Sequence, residues 1–257
     1  MKEFDQLVQI VADLRKPEGG CPWDKKQTHA SLVPNFIEEL YEGIEAIEDG
    51  DMQDLREELG DLMLHIVMQS RIAEEDSDFT MAEVLQGIND KLVRRHPHIF
   101  GTDIVKDAEE VKMNWEQIKL KEKTFRKSAL EGVPQGMPKL IVAQRMQEKA
   151  AAVGFDWDHH GQVFEKLDEE VIELKEAIES GDQEHIMEEL GDLLFTVVNL
   201  SRKLGIDAES ALSGTNRKFE RRFRQVEEIY KSRKEKMHDS SLEQLDEVWE
   251  TVKDTEK

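Results

Sequence analysis

The sequence has few residues of the kinds that cross-link a fold or place it in a membrane. It contains one cysteine, Cys21, in 257 residues, so no disulfide can form within the chain. The longest nearly apolar run, Leu193 to Leu200, is interrupted by Thr196 and Asn199. It is far shorter than the roughly 20 residues that cross a bilayer. We therefore expect no membrane span and no membrane partner.

The start of the sequence, Met-Lys-Glu-Phe-Asp, also lacks the apolar segment of a secretory signal peptide. A lone cysteine is typical of proteins that work in a reducing compartment. The two features together predict a cytoplasmic protein.

Positive charge is in short supply. The chain has 35 Lys and Arg against 57 Asp and Glu, which gives a formal net charge of −22. Binding to nucleic acid depends on clustered cations that neutralise phosphates. The charge balance therefore argues against nucleic acid as a main partner, while the ordered recurrence of apolar residues predicts a folded chain.

Signals for β-strands are nearly missing. Apolar residues recur at spacings of three and four, which is the pattern of amphipathic helices, and Asn-Gly or Asp-Gly hairpin turns are rare. The sequence therefore predicts an all-α fold. Helix breakers cluster at Gly132, Pro134, Gly136 and Pro138, which predicts a domain at 1–125, a linker at 126–139 and a second domain at 140–257.

An internal repeat relates the two halves. Residues 38–71 align without a gap on residues 169–202, at an offset of 131, and 18 of these 34 positions are identical. Each copy carries Glu-Glu-x-x-Glu, then Gly-Asp, then Glu-Glu-Leu-Gly-Asp-Leu. The Gly-Asp turn predicts a pair of antiparallel helices. Two further helices are expected in each half, one with an Asn-x-Lys segment and one with a tryptophan, so each half is predicted to be a four-helix unit.

A polar stripe runs along the second helix of each pair. Glu189, Asp192, Thr196 and Asn199 fall at i, i+3, i+7 and i+10 among apolar residues, so they share one face of a helix that we expect to be buried. The first half has Glu58, Asp61 and His65 at the aligned positions. Glycines 60 and 191 interrupt these helices, and we expect them to allow close helix packing.

Carboxylates one turn apart on such a helix repel each other and are costly to desolvate unless a cation lies between them. The preceding helix adds two more at i and i+3, Glu39 and Glu42 or Glu170 and Glu173. Ligands that offer only oxygen favour Mg²⁺, with Mn²⁺ as a substitute. Iron is disfavoured, because no histidine occupies the i+3 position that di-iron bundles use. The alternative is that these acids pair with Lys and Arg on a solvated surface.

The spacing of these carboxylates resembles that of the all-α nucleoside triphosphate pyrophosphohydrolases. The tandem arrangement is similar to the MazG family across essentially the whole chain, with Cys-Pro-Trp-Asp at 21–24, Arg-Arg-His-Pro-His-Ile-Phe at 94–100 and Asn-Arg-Lys-Phe-Glu-Arg-Arg-Phe at 216–223. This resemblance implies Mg²⁺-dependent hydrolysis of nucleoside or deoxynucleoside triphosphates to monophosphate and pyrophosphate. It also implies a homodimer, built as an intertwined helical bundle.

The resemblance also implies site residues. The family's metal ligands fall on Glu170, Glu173, Glu189 and Asp192, with a second candidate set at Glu39, Glu42, Glu58 and Asp61. Its nucleotide contacts fall on Lys218, Arg221, Arg222 and Trp249.

Two residues beside these ligands add to the expected site. Lys166 lies one turn before Glu170, within reach of a phosphate, whereas the aligned residue of the first half is Asn35. We therefore expect the second half to be the main catalytic unit. Glu169 is assigned the role of activating the attacking water.

The leading hypothesis is a hydrolase of broad base specificity that clears the nucleotide pool. Two alternatives stay open. One is a specialised dUTP or phosphoribosyl-ATP pyrophosphohydrolase, and the other is a non-catalytic helical protein that binds a regulatory partner, whose identity the sequence does not indicate.

Overall fold

A computed structural model describes residues 2–122 and 128–256. This part of the chain forms eleven α-helices and two short 3₁₀ turns, and it contains no strand. The all-α prediction is confirmed. The chain divides into two compact units, Met1–Lys106 and Asp107–Lys257, which are described separately below.

The first unit contains five helices. They are α1 (Lys2–Leu14), α2 (Val33–Asp49), α3 (Met52–Glu75), α4 (Met81–Arg95) and the short α5 (Pro97–Phe100). The second unit contains six helices within its described residues. They are α6 (Ala108–Glu122), α7 (Lys139–Ala151), α8 (His160–Ser180), α9 (Gln183–Lys203), α10 (Ala208–Arg233) and α11 (Leu242–Thr255).

Both predicted helix pairs are present and have the same turn. Gly50 and Gly181 end α2 and α8 with φ of 73° and 75°, a left-handed conformation that favours glycine because it has no Cβ. Asp51 and Asp182 then cap α3 and α9, each accepting hydrogen bonds from two backbone N–H groups of the new helix. The turn reverses the chain, so α2 packs along α3 and α8 packs along α9.

The core of the first unit lies between α1 and α3. Val11, Val67, Met68 and Ile72 are buried there together with Leu32. One charged group joins this region: Arg15, after the end of α1, donates hydrogen bonds to the carbonyls of Asp24 and Gln27 and pairs with Glu75 at 2.7 Å. The guanidinium therefore ties the loop after α1 to the end of α3.

The second unit has two buried regions. Val163 and Ala177 of α8 and Val198 of α9 are almost fully buried, and α7 packs on both α9 and α10. A separate cluster joins α10 to α11 through Val226, Tyr230, Val248 and Val252, and Trp249 packs against it.

The two predicted follow-on helices of each half are present, with Asn89 and Trp115 on α4 and α6 and Asn216 and Trp249 on α10 and α11. The helices α1 and α7 precede the two pairs and were not part of the four-helix prediction. The predicted domain limits stay a prediction, because residues 123–127 lie outside the described part of the chain and α6 falls in the second compact unit.

Two packing expectations were wrong. A methyl group on Gly60 or Gly191 would meet no atom within 4 Å, so neither glycine serves a close helix contact within the described chain. The apolar residues around Gly191 are exposed, with Leu190 at 46% and Leu194 at 51%, so α9 is not the buried helix that the sequence predicted.

None of the described helices is long and apolar enough to span a membrane.

Candidate active site

Three carboxylates of the second unit converge on one point. Glu170 and Glu173 lie on α8 and Glu189 lies on α9, and each offers one oxygen within 4.8 Å of the other two. The convergence follows from the sequence, since residues at i and i+3 share a helix face and the Gly181-Asp182 turn brings α9 back along α8. Glu170 is the most deeply buried of the three, with 3% of the residue exposed.

This cluster lacks enough donors for its oxygens. Glu170 Oε2 is buried and has no hydrogen-bond partner. Burial raises the pKa of Glu173, and the neighbouring charges of Glu169, Glu170 and Glu189 raise it further, whereas Lys166 acts in the opposite direction. Because the pKa of Glu173 is raised and one buried oxygen has no partner, an added cation would stabilise the charged cluster.

Lys166 supplies part of that positive charge. Its Nζ lies 2.9 Å from Glu169 Oε1, 2.9 Å from Glu170 Oε1 and 3.9 Å from Glu173 Oε2. Hydrogen bonds to Glu170 and Glu169 raise the pKa of the Lys166 ammonium above its usual range, so it stays charged at neutral pH. The ion-pair alternative therefore holds for these two glutamates, and Lys166 contacts carboxylates where the sequence analysis expected a phosphate.

The first unit has an equivalent cluster without such a lysine. Glu39, Glu58 and Asp61 each place an oxygen within 4.8 Å of the other two, and the residue aligned with Lys166 is Asn35. Burial raises the pKa of both Glu39 and Glu58, as do the charges around them, and the two side chains share a hydrogen bond. Glu58 Oε2 is buried without a partner.

Each triad leaves out a different member of the expected set of four. Glu42 in the first unit and Asp192 in the second are exposed and do not belong to the converging groups. The aligned Asp61 does converge. The structure thus brings together three of the four predicted ligands in each unit, and the ligand role of every residue stays a prediction.

A divalent cation fits these residues. All the converging atoms are carboxylate oxygens, the ligands that Mg²⁺ prefers, and two oxygens bound to Mg²⁺ at ~2.1 Å are separated by at most about 4.2 Å. The oxygens of each triad lie within 4.8 Å of one another, so they need at most a small closure. The buried oxygens of Glu58 and Glu170 have no partner, and a cation held by the triad would provide one.

Each second helix also buries a polar side chain of the stripe. Thr196 and His65 occupy aligned positions of the stripe and are 7% and 8% exposed. Burial lowers the pKa of His65, although Asp61 partly opposes this, and His65 Nδ1 has no hydrogen-bond partner. These two members of the stripe are therefore buried, whereas the apolar Leu59 and Leu190 on the same helices are exposed.

One neighbour of the triad was missed by sequence reasoning. His185 Nε2 lies 3.1 Å from Glu189 Oε1, because the two residues are one turn apart on α9. The His-x-x-x-Glu spacing of His185 and Glu189 could have predicted this contact. The comparison of the two halves did not reveal it, because the residue aligned with His185 in the first half is Asp54.

The predicted nucleotide contacts lie on α10 and α11. Arg221 and Arg222 both pair with Glu256, at 3.1 Å and 2.7 Å, and their hydrogen bonds lower the pKa of Glu256. Lys218 is exposed. Trp249 packs against the ring of Phe219 at a centroid distance of 5.3 Å. Their contacts with a nucleotide stay predictions.

Comparisons with known proteins agree with this architecture. The model of the MazG nucleotide pyrophosphohydrolase domain matches residues 27–100 and again residues 159–227, the segments that contain the two helix pairs. This chain belongs to the MazG family. The nucleoside triphosphate pyrophosphohydrolase of Escherichia coli K12 is 45% identical over 98% of both chains.

Two other relatives extend the comparison. The nucleoside triphosphate pyrophosphohydrolase/pyrophosphatase MazG of Thermotoga maritima is 46% identical over 97% of this chain and 95% of its own. The uncharacterized protein YabN of Bacillus subtilis is 44% identical over 99% of this chain but only 52% of its own length. A MazG chain of this tandem form thus also resembles one half of a longer protein.

Proposed function

We propose that this MazG protein hydrolyses nucleoside and deoxynucleoside triphosphates in the presence of Mg²⁺, adding one water to release the monophosphate and pyrophosphate. As a member of its family the chain is a nucleotide pyrophosphohydrolase, and the relatives from Escherichia coli and Thermotoga maritima carry that activity in their names. The observation that carries the proposal is the oxygen-only carboxylate triad with an unpartnered buried oxygen, which occurs in both units.

An acidic site can bind a negatively charged substrate if a cation lies between them. A triphosphate does not bind among carboxylates unless cations neutralise both. Glu170, Glu173 and Glu189 would hold such a cation, with Asp192 as the fourth proposed ligand. When bound, it would neutralise charge on the phosphate oxygens in the ground and transition states.

The protein's own side chains are given the remaining roles. Glu169 is exposed and hydrogen-bonded to Lys166 at 2.9 Å, so its carboxylate is held at the edge of the triad, where it can accept a proton from the attacking water. Lys166 moves from the carboxylates to a phosphate when the substrate arrives. Lys218, Arg221 and Arg222 are proposed to hold the outer phosphates, which requires the arginines to exchange Glu256 for phosphate oxygens.

We further propose broad base specificity and a cytoplasmic role in clearing the nucleotide pool. The acidic site recognises triphosphate and metal, and these parts are common to all nucleotides. A specialised dUTP or phosphoribosyl-ATP pyrophosphohydrolase remains the second candidate, and competition between bases in a mixed assay separates the two.

The exposed apolar faces support a homodimer. Leu190, Leu194 and Val197 lie at i, i+4 and i+7 on α9 and are all exposed, and so are the aligned Leu59, Met63 and Ile66 on α3. Faces of this kind on a soluble helix usually meet a partner. The open space beside Gly60 and Gly191 lies on the same helices, next to Leu59 and Leu190.

The test is pyrophosphate release from a panel of NTPs and dNTPs, with Mg²⁺ and with chelator. Wild type is compared with Glu173→Gln, Asp192→Asn and the first-unit changes Glu42→Gln and Asp61→Asn. The second-unit changes are expected to lower kcat/KM by about 100-fold or more, equivalent to about 2.7 kcal/mol of transition-state stabilisation. Glu176→Gln is the matched control, because Glu176 lies on the exposed side of α8 outside the triad.

The outcomes are distinct. Loss confined to the second-unit variants locates the active site there, and equal loss from both sets means two coupled sites. Turnover that persists in chelator contradicts the metal assignment. Wild type that releases no pyrophosphate from any substrate contradicts the hydrolase and favours the helical interaction protein, which would also tolerate Asp192→Asn.

A further inference from the structure

The second unit contains a cavity that the carboxylate site does not use. It lies between the C-terminal half of α7, the segment 152–157 and the C-terminal half of α9, and its volume is about 450 Å³. This is the size of a small-molecule pocket. Three of its lining side chains are aromatic, those of Phe155, Trp157 and Phe195. We call it the aromatic cavity.

The loop that carries two of these rings is fixed to α9. Asp156 accepts hydrogen bonds from Arg202 and Lys203, and Lys203 also donates to the carbonyl of Trp157. Hydrogen bonds from both cations lower the pKa of Asp156 even though burial acts to raise it. The position of the aromatic rings therefore does not depend on hydrophobic contact alone.

A buried amide at the cavity wall has an unused acceptor. Gln147 of α7 is 6% exposed, and its Nε2 donates to the carbonyl of Phe195 at 2.8 Å. Because the donor to this carbonyl must be the amide nitrogen, the bond identifies the other atom of the amide, Oε1, as a hydrogen-bond acceptor. Oε1 is buried and has no partner, which is costly for a polar atom.

An unused donor belongs to a second lining residue, on α9. Arg202 Nε is buried without a partner, while Nη2 of the same guanidinium donates to Asn199 Oδ1 at 2.8 Å. Gln147, Asn199 and Arg202 all line the cavity. The residues that line the aromatic cavity thus include three aromatic rings, one side chain with an unsatisfied acceptor and one with an unsatisfied donor.

We propose that the aromatic cavity binds the planar ring of a nucleobase. A nucleobase presents flat faces for stacking on aromatic side chains, and its edge carries both an N–H donor for Gln147 Oε1 and acceptors for Arg202 Nε. A hydrocarbon ligand satisfies neither group. The choice of a nucleobase among heteroaromatic rings rests on the proposed function.

Two sources of this ring are consistent with the fold. Asn199 lies ten residues after Glu189 on the same helix, about 15 Å along its axis, so one source is the base of the nucleotide whose phosphates bind at the triad. The other source is a separate nucleoside or monophosphate. The chemistry of recognition is the same in both cases.

The first experiment measures binding of adenosine, guanosine, cytidine and uridine to the full chain in chelator. Without phosphates or metal, these probes report on the ring alone. Binding of at least one nucleoside is expected by saturation-transfer NMR and calorimetry. Gln147→Leu should weaken it about 10-fold, the effect of losing a hydrogen bond to a buried group.

Ala150→Phe fills the cavity and should abolish binding, since Ala150 lines it. Ala211→Phe on the exposed surface of α10 is the matched control and should bind as wild type does. Thermal unfolding checks that each variant is folded, and Trp157→Leu replaces Ala150→Phe if the latter is not. No nucleoside binding to wild type, or binding that Gln147→Leu and the cavity variant leave unchanged, overturns the proposal.

Kinetics then assign the source. If the substrate's base enters the cavity, Gln147→Leu raises KM for the nucleoside triphosphate and leaves the inhibition constant of inorganic tripolyphosphate unchanged. If the cavity is separate, KM is unchanged while nucleoside binding is weaker. A wild type that binds nucleosides but releases no pyrophosphate would overturn the proposed hydrolysis and keep the nucleobase site.

Discussion

At the scale of the residue, one difference separates the two carboxylate clusters. Lys166 offsets part of the negative charge of the second-unit triad, whereas Asn35 cannot do the same in the first. An ammonium and a divalent cation compete for the same oxygens. The second-unit triad should therefore bind free metal less tightly than its carboxylates alone would, and should release Lys166 when the metal arrives with the substrate.

We predict that Lys166→Met strengthens Mn²⁺ binding in the absence of nucleotide by about 10-fold, the equivalent of about 1.4 kcal/mol, because the competing charge is removed. The measurement is a Mn²⁺ titration followed by electron paramagnetic resonance. It uses a Glu58→Gln background, so that the first-unit triad does not contribute. Asn35→Lys in a background with Glu189→Gln is the reciprocal control and should weaken binding to the first unit. Unchanged affinity after Lys166→Met would show that the lysine does not compete.

A second residue-scale prediction concerns Glu75. Burial acts to raise its pKa, but hydrogen bonds from Arg15 and Arg71 outweigh this, so the pKa of the folded state lies below the usual 4.5. A depressed folded-state pKa gives stability that is present above the unfolded pKa and lost as the pH falls through the folded value. We expect Glu75→Gln to cost about 2 kcal/mol at pH 7.

The difference between Glu75→Gln and wild type should shrink as the pH falls below about 4.5, in denaturant unfolding followed by circular dichroism. Glu74→Gln is the control, because Glu74 makes only an exposed pair with Arg71 and such pairs contribute at most about 1 kcal/mol. A constant difference across the pH range would mean that the ion pair is not the source of the effect.

At the scale of the element, the two helix pairs depend on the same turn chemistry. Asp51 Oδ1 accepts from the N–H groups of Gln53 and Asp54, and Asp182 Oδ1 accepts from those of Glu184 and His185. These bonds satisfy backbone donors that a helix start leaves free. The capped turns also set the register that brings Glu58 and Glu189 opposite their partners.

We predict that Asp51→Ala and Asp182→Ala each destabilise their unit by about 1 kcal/mol, the usual value of an N-cap. Thermal unfolding should show a lower Tm for both. Asp182→Ala should also raise KM for the metal, because the start of α9 carries Glu189. Asp49→Ala removes an exposed carboxylate of the same turn and should change neither quantity. Equal effects of Asp49→Ala and Asp51→Ala would point to turn charge instead of capping.

At the scale of the whole molecule, the distribution of apolar surface is the main feature. The outward faces of α3 and α9 carry large apolar side chains, while the buried residues of these helices include the polar His65 and Thr196. The charge of −22 keeps molecules apart through repulsion, so association has to be specific and rely on matching apolar faces.

We predict that Leu190→Glu combined with Leu194→Glu converts a dimer to a monomer, because two charges would be placed in a buried apolar contact. Size-exclusion chromatography with light scattering measures the mass. Leu242→Glu, at the exposed start of α11, is the control and should remain dimeric. A wild type that runs as a monomer would contradict the proposed homodimer.

The parts of the fold that are local in sequence could be predicted. The Gly-Asp turns, the two helix pairs and the convergence of Glu170, Glu173 and Glu189 all follow from periodicity and a short loop. The burial of whole helices could not be predicted, because a helix with apolar residues on most sides is compatible with a core or with an interface. The same ambiguity explains the wrong interpretation of Gly60 and Gly191.

The aromatic cavity could not be predicted for a different reason. Its walls come from Gln147, Trp157 and Phe195, which lie on three segments, and no spacing rule connects them. Among the residues that line the cavity, the sequence analysis named only Asn199, as a member of the polar stripe on α9. The pairing of Arg221 and Arg222 with Glu256 joins residues more than 30 positions apart and was likewise invisible in the sequence.

The short turns at Gly50 and Gly181 also bear on how the chain folds. Each joins two helices whose mutual contacts are close in sequence, so little loop entropy is lost when the pair forms. Each pair therefore has the properties of an early folding nucleus, and the chain contains two that are identical at 18 of 34 aligned positions. A helix of one pair could therefore pack during folding on a helix of the other pair, since α2 resembles α8 and α3 resembles α9. The short turns oppose such packing, because each helix meets its own partner within microseconds, long before the distant copy is found.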